Sequence, residues 1–526
     1  MKRIRKYHKW PSLIIGLFLI LFAASGIVMN HRNWFSGVNF PRQLMPPDYY
    51  YRNWNLAAVK GNVPLDNNNQ LIYGNIGIWK TDKDFSSFSD FNAGFGSGMD
   101  QRKVFTLLHS EAGNLYAGML FGLYFYNEGI KKWEQIALPE ESPRVVKIAQ
   151  YGENLLILTR SHLYTFPDRG SQTADATEIP VPRAGDDDGK AGLFRTLWII
   201  HSGELMGLPG KILVDLVGLS LIFIVLSGYY YTFLPSLARR SGERLRKKLR
   251  KINRFSINWH NNLGIYGILF LTITTITGMF LRPPLLIPVA YARVNPIPGY
   301  VLDHSNRWHD KFRDMVSDPA SGELILSTSE GFYRFVPGKD TIAHPYGVQP
   351  EVSVMGITAF QALNDSSFIV GSFSGIYQWF PHRDLVLNYI TGLPAVSSGR
   401  GNPFGSVAVA GVINQAGRPV AMLDYNAGWI PLVKDIKKPE MPGFIAKLPV
   451  SLWNLALEVH TGRIFSVILG DFYILYVPLM GLTTLLILIT GVWIWLKIKR
   501  KKSNKKIQEG QNHENHKAAP GPQSPL

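Results

Sequence analysis

The 526-residue sequence contains no cysteine. That absence excludes disulfides, thiolate metal sites, iron–sulfur clusters and cysteine-attached haem, so any redox group must be held by histidine, methionine or oxygen. A glycine fingerprint for a dinucleotide is also missing from the segments read below as cytoplasmic, and those segments are too short for a flavin or nicotinamide domain.

Acidic side chains are the minority charge, 38 against 55 basic ones, for a formal net charge of +17. Such an excess would suit a nucleic-acid binder if it covered one surface. It is instead confined to three segments. Lys2, Arg3, Arg5, Lys6 and Lys9 precede the first apolar stretch, nine basic residues lie between 239 and 254, and seven lie between 497 and 506. These segments hold more than the whole net excess, so the rest of the chain is slightly acidic and no nucleic-acid partner is expected.

Four stretches, 11–29, 209–233, 263–281 and 464–496, are apolar enough and long enough to cross a bilayer, which takes about 20 helical residues. The basic segments all flank one side of these spans, as the positive-inside rule requires. Both termini and the middle loop are therefore expected in the cytoplasm, with residues 30–208 and 282–463 outside it, in a multi-pass protein of a bacterial inner membrane. A cleaved signal peptide is the alternative for the first stretch, with Ala23-Ala24-Ser25 as its cleavage site. Recurrence of that stretch inside the chain argues for a resident span.

The recurrence is specific. YHKWPSLIIGLFLILFAASGIVM at the first span aligns with WHNNLGIYGILFLTITTITGMFL at the third, and His8 precedes Ser25-Gly26 by the interval that separates His260 from Thr277-Gly278. GLSLIFIVLSGYYY from Gly218 likewise resembles GLTTLLILITGVWIW from Gly481, and upstream of these lie His201-Ser202-Gly203 and His460-Thr461-Gly462. Each half reads as helix, outer segment, His-[Ser/Thr]-Gly, helix, in the same orientation, which implies a pseudo-twofold axis along the membrane normal. The small residues Ser25, Gly26, Ser227, Gly228, Thr277, Gly278, Thr490 and Gly491 suit close helix contact, the reading preferred for them.

The outer segments alternate apolar and polar residues around turn glycines. Hairpins are expected in LIYGNIGIWK, LYAGMLFGLYFYN and LLILTRSHLYTF of the first half, and in LILSTSEGFYRF, FIVGSFSGIYQWF and AMLDYNAGWIPL of the second. Successive turns recur at 45, 40, 44 and 53 residues, a period that fits β-propeller blades. The expected fold is a mixed membrane protein: a four-helix transmembrane bundle from a tandem repeat of 2+2 helices, and two mainly-β outer segments forming one propeller or two half-propellers. Its expected order is a first helix over 1–32, a β segment over 33–190, an interfacial histidine segment and second helix over 191–238, and a basic cytoplasmic loop over 239–258. A third helix over 259–284, a second β segment over 285–446, a histidine segment and fourth helix over 447–500, and a disordered tail over 501–526 complete it.

Ionisable residues at membrane depth point to function. His8 and His260 lie at cytoplasmic helix starts, His201 and His460 at outer helix entries, and the repeat axis brings each member of a pair to the depth of the other. A ring nitrogen from each of two helices is what six-coordinate haem iron needs above and below the macrocycle. One b-type haem ligated by His8 and His260, and a second by His201 and His460, are expected. His31 is a spare ligand candidate without a counterpart in the second half. His109, His162, His304, His309, His344 and His382 read as surface histidines, although 304 and 309 are close in sequence.

These helices and their His-[Ser/Thr]-Gly segments resemble the PepSY-associated transmembrane helix family. The resemblance implies a haem-containing membrane reductase acting on ferric siderophores or other ferric chelates outside the cytoplasm, for iron acquisition. Its electrons would come from a separate donor, membrane quinol or a cytoplasmic reductase. A protein partner in the periplasm is the other acceptor considered, and propeller-like outer segments depart from the PepSY modules of many relatives. The alternative function is a membrane-anchored receptor or assembly factor whose outer domain binds a partner and whose histidines only pack. A transporter is disfavoured, because the spans read as unbroken near mid-membrane and hold little charge beyond Asp215 and Asp471.

Overall fold

Long runs of Leu, Ile, Val and Phe without charge fold here as helices, and alternating segments punctuated by glycine fold as strands. The computed structural model describes residues 2–170, 175–239, 242–353, 356–395, 405, 407–434 and 436–517. The chain divides into two units: a helical unit of Met1–His31, Ala191–Leu302 and Ala456–Leu526, and a β unit of Arg32–Lys190 and Asp303–Leu455.

The helices are α1 (Lys2–Asn30), α2 (Leu193–Ser202), α3 (Gly207–Arg239), α4 (Glu243–Tyr266), α5 (Ile268–Phe280), α6 (Leu452–His460) and α7 (Tyr476–Lys517). Within the helical unit α1 packs on α3 and α7, α3 on α4, and α5 on α2 and α7. Three segments, Lys2–Asn30, Glu204–Ser236 and Arg463–Asn504, are each long and apolar enough to cross a membrane. Ile14, Leu17, Leu226, Leu482 and Ile489 stay exposed on these helices, as lipid-facing side chains do.

The third expected span differs from its expectation. It is a bent pair, α4 and α5, turning by 64° at Gly267. Gly267 N–H bonds back to Leu263 O at 2.9 Å, and a Cβ there would lie 2.7 Å from that same oxygen, so the turn depends on glycine. The break falls four residues into the expected 263–281 stretch, near its end and not its middle. The basic stretch 239–258, expected as a loop, is largely the first part of α4. Leu245, Leu249, Ile252 and Phe255 recur there at helical spacing among the cations, the pattern of a helix lying in a membrane interface. The tail from 501, expected as disordered, continues α7 through Lys517, because Lys, Gln and Glu extend a helix that is already nucleated; residues 518–526 lie outside the described residues.

Among the described residues the β unit holds six sheets of three to five strands, each led by one strand of an antiparallel run: β1 (Gly61–Pro64), β2 (Val104–His109), β3 (Val145–Tyr151), β4 (Phe312–Ser317), β5 (Ile357–Asn364) and β6 (Val409–Gln415). All six expected hairpins form as the second and third strands of these sheets. Gly77 shows why glycine marks such turns: its φ is +87°, and a Cβ would fall 2.1 Å from Asn92 Oδ1.

The leading strands neighbour one another in chain order, and β6 returns to β1. That closure is hydrogen bonded, with Asn62 Nδ2 donating to Asn414 O and Asn414 N–H donating to Asn62 Oδ1, both at 2.8 Å. The core lies between the faces of neighbouring sheets. Ile72 and Trp79 of the first sheet pack with Ile413, Leu423 and Trp429 of the sixth, and Tyr116 and Phe125 of the second pack with Ile148 and Leu155 of the third. Arg183–Ala184 adds a parallel strand to the fourth sheet at Ile342 and Ala343, so the first outer segment contributes to a sheet of the second.

Candidate histidine pairs in the helical unit

Four of the five candidate histidines form two pairs. His8 of α1 faces His260 of α4 with ring centroids 6.4 Å apart and planes at 87°. His201 in the last turn of α2 faces His460 at the end of α6, with centroids 6.0 Å apart and planes at 62°. Two metal–nitrogen bonds of about 2 Å in line, with half a ring on either side, span about 6 Å, so each separation fits one metal between the rings.

All four imidazoles are held the same way. His8 Nδ1 donates to Ile487 O at 3.0 Å, with Thr490 Oγ1 at 3.2 Å. His260 Nδ1 donates to Ile224 O at 3.0 Å, with Ser227 Oγ at 2.9 Å. His201 Nδ1 donates to Thr274 O at 2.9 Å, with Thr277 Oγ1 at 3.3 Å. His460 Nδ1 donates to Phe22 O at 3.0 Å, with Ser25 Oγ also at 3.0 Å. A carbonyl oxygen only accepts, so each ring carries its proton on Nδ1 and keeps the Nε2 lone pair for a ligand.

The glycine after each hydroxyl residue clears room for the ring. A Cβ at Gly26, Gly228, Gly278 or Gly491 would lie 3.3, 3.7, 2.8 or 3.1 Å from Cε1 of His460, His260, His201 or His8 respectively. The Ser/Thr-Gly dipeptides, read from the sequence as helix contacts, are therefore the seats of the histidines. Their equal spacing from His8 and His260 was the available signal, but each seat serves a histidine of a different helix, and linear spacing does not show that.

The bracing is crossed between the repeats. His8 and His201 belong to the first copy and are held by Thr490 and Thr277 of the second; His260 and His460 belong to the second and are held by Ser227 and Ser25 of the first. Neither copy completes a pair alone.

His31, the fifth candidate, joins neither pair. Its Nε2 is engaged by the Asp215 carboxylate, which also accepts from Asn30 Nδ2 at 3.3 Å. Among the surface candidates, His304 and His309 stack at 4.8 Å, His162 pairs with Glu178 at 2.8 Å, and His382 pairs with Asp318 at 2.7 Å. Among the described residues no group of three or more His, Asp or Glu is placed to hold a bare metal ion.

The family comparison settles the ancestry of this arrangement. The PepSY-associated TM region matches residues 1–234 and again 231–497. The chain belongs to this family. The two matches assign two paired histidines to each copy, so the PepSY-associated TM region occurs here as a tandem duplication in a membrane protein.

No curated protein matches the chain. Among solved structures, the extracellular domain of a hybrid two-component system from B. thetaiotaomicron is similar at 10% identity and a TM-score of 0.34, over 71% of this chain and 32% of that one. The extracellular domain of a one-component system from the same organism gives 10% identity and a TM-score of 0.32, over 72% of this chain and 38% of that one. The chain thus spans roughly a third of the length of these structures.

Proposed function

We propose that the chain is a bis-histidine haem protein of a bacterial inner membrane, passing electrons to an acceptor outside the cytoplasm in the manner of a ferric-chelate reductase. The observation that carries this is the geometry of the pairs: two imidazoles about 6 Å apart at their centroids, each with Nδ1–H donated to the backbone and Nε2 left as ligand. Two protein nitrogens, with no third donor beside them among the described residues, fit a planar macrocycle that brings the remaining ligands itself. Haem b bound there would supply one-electron iron chemistry.

The residues have separable tasks. Ile487, Ile224, Thr274 and Phe22 fix the tautomer and rotation of the rings through their carbonyls, and such acceptors raise the basicity of the ligating nitrogen. The glycines keep the ring edge close to the helix backbone. Apolar helix faces exclude water, which stabilises the less charged state of a bound iron centre.

On this reading α4 and α5 together form the third span of a four-helix bundle, the basic flanks place both termini in the cytoplasm, and the β unit is a six-bladed propeller in the periplasm. The acceptor would be a ferric siderophore or similar chelate. The donor would be quinol or a separate cytoplasmic reductase. Purified full-length protein from haem-replete cells is expected to be red, with the reduced-minus-oxidised spectrum of low-spin b-type haem and two haems per chain. A colourless preparation would defeat this reading and leave the receptor reading, in which the outer ring of sheets is the working part.

A further inference from the structure

The β unit contains a cluster of cations that the redox reading does not use. Lys60, Lys103 and Arg144 each stand one residue before a leading strand, β1, β2 and β3, so three neighbouring sheets carry a basic side chain at the same place in their repeat. Lys60 and Arg144 meet over one ring: Lys60 Nζ lies 4.2 Å from the Phe105 centroid and the Arg144 guanidinium carbon 5.5 Å from it.

Counter-charges nearby are already committed. Asp100 is shared by Lys103 at 2.7 Å and by Arg32 in a two-toothed bond at 2.7 and 3.0 Å. Asp314 holds Lys147 at 2.9 Å, and Asp310 holds Arg160 at 3.0 Å. Among the described residues Lys60 Nζ and the Arg144 guanidinium have Phe105 as a neighbour but neither a carboxylate nor a hydrogen-bond acceptor. Lys60, Arg144 and Phe105 are only partly buried.

The charges act on one another. Burial, then Lys103 and Arg144, push the Lys60 ammonium down to about 7, with Asp314 opposing. Burial brings Lys103 down to about 8 against the pull of Asp100, and brings Arg144 down to about 10 with Arg160 and Arg32 adding to the effect. For Asp100, burial acts upward, but Arg32 and Lys103 overcome it and hold the carboxyl below the usual carboxylate range.

We infer that Lys60 and Arg144, backed by Lys103 and floored by Phe105, bind a small, multiply charged oxyanion of carboxylate or phosphate chemistry. Unpaired, partly desolvated cations converging on one ring gain most from a ligand that brings several anionic oxygens at once. The site requires no haem, and its test is independent of the histidine pairs.

The test is calorimetric titration of the full chain in detergent with citrate, with inorganic phosphate, and with glucose as the uncharged control. Saturable binding of citrate or phosphate but not glucose is expected, and whichever anion binds more tightly assigns carboxylate or phosphate chemistry. Lys60→Met and Arg144→Met should each weaken binding by about tenfold or more, as loss of a charge-assisted bond does. Arg144→Lys should weaken it less than Arg144→Met, and exposed Lys83→Met should leave it unchanged.

Citrate affinity should also fall as pH rises from 7 to 8.5, where citrate itself is already almost fully ionised, because Lys60 and then Lys103 lose their protons. Arg144 and Asp100 keep their charges over that range, and Arg32, Arg160, Asp310 and Asp314 are the other charged groups that face the cluster. Each methionine removes a repelling charge, so the variants are expected to keep the wild-type circular dichroism; should one not, Arg144→Lys and the pH series carry the test. Absence of saturable anion binding by the wild type would overturn the inference, and so would equal affinity in folded Lys60→Met/Arg144→Met. A red protein that binds neither anion refutes this site alone, whereas a colourless one that binds citrate refutes the haem reading alone.

Discussion

The two histidine pairs share one plan but differ in how tightly it is executed. In the His201/His460 pair the seats are close: added Cβ atoms at Gly278 and Gly26 would stand 2.8 and 3.3 Å from the imidazoles. In the His8/His260 pair one seat is close, Gly491 at 3.1 Å, and the other, Gly228, leaves 3.7 Å, ordinary van der Waals contact. The His201/His460 pair, the outer one on the proposed topology, also sits on short helices of 10 and 9 residues, whereas the His8/His260 pair, the inner one on that topology, sits on helices of 29 and 24. The outer rings therefore depend more on their seats and the inner rings more on the helices that carry them.

The largest expected effect tests whether the pairs are pairs at all. His8→Ala and His260→Ala should remove the same haem, and His201→Ala and His460→Ala the other, so each single variant retains about half of the wild-type haem on the two-site reading. Haem content with a reduced-minus-oxidised spectrum measures this. If the double variant His8→Ala/His260→Ala loses more than either single variant, the shared site is refuted. Because bracing crosses between copies, neither half expressed alone, 1–234 or 231–497, should bind haem, while co-expression should restore it.

Next in size are the glycines. Gly278→Ala places a methyl 2.8 Å from His201 Cε1, inside the distance real Cβ contacts tolerate, and overpacking of this kind costs about 1–3 kcal/mol. It should lower retention of the outer haem about tenfold. Gly491→Ala at 3.1 Å and Gly26→Ala at 3.3 Å should follow with smaller losses, and Gly228→Ala at 3.7 Å should retain wild-type haem. Equal effects at all four positions would mean that these glycines serve helix packing and not the imidazoles.

Much of this plan was visible before any coordinates. The tandem copies, their histidines and the six hairpins follow from local repetition, which a sequence shows directly. What was hidden is relational. Thr490-Gly491 lies far from His8 in sequence, and only packing of α1 against α7 shows that one seats the other. Gly267 aligns one position out of register with Gly16, yet α1 runs straight through Gly16 while the matching place breaks into α4 and α5. In α1 that glycine admits Tyr229, whose hydroxyl oxygen would be 2.5 Å and whose ring carbon Cζ 2.9 Å from an added Cβ, and whose hydroxyl bonds Leu13 O at 2.9 Å; at Gly267 the nearest obstruction is the helix's own Leu263 carbonyl. Lys60 and Arg144 are also far apart in sequence and meet because β1 and β3 both neighbour β2, which carries Phe105.

The smallest expected effect sharpens the comparison in the opposite direction. His260 Nδ1 is nearer to Ser227 Oγ, at 2.9 Å, than to its carbonyl at 3.0 Å, whereas His201 Nδ1 is nearer to its carbonyl, at 2.9 Å, than to Thr277 Oγ1 at 3.3 Å. Each hydroxyl donates to the backbone of its own helix and so offers the imidazole a lone pair. Ser227→Ala removes the closer of two acceptors and should lower retention of the inner haem by a few-fold, below the 10–100-fold typical of losing a sole outer-shell partner. Thr277→Val removes only the weaker acceptor at nearly constant shape, so the outer haem should be held as in the wild type. The ranking by hydroxyl loss is thus the reverse of the ranking by glycine substitution for these two histidines. A common ranking in both series would show that helix stability, and not the immediate contacts of each ring, decides how firmly the imidazoles are held.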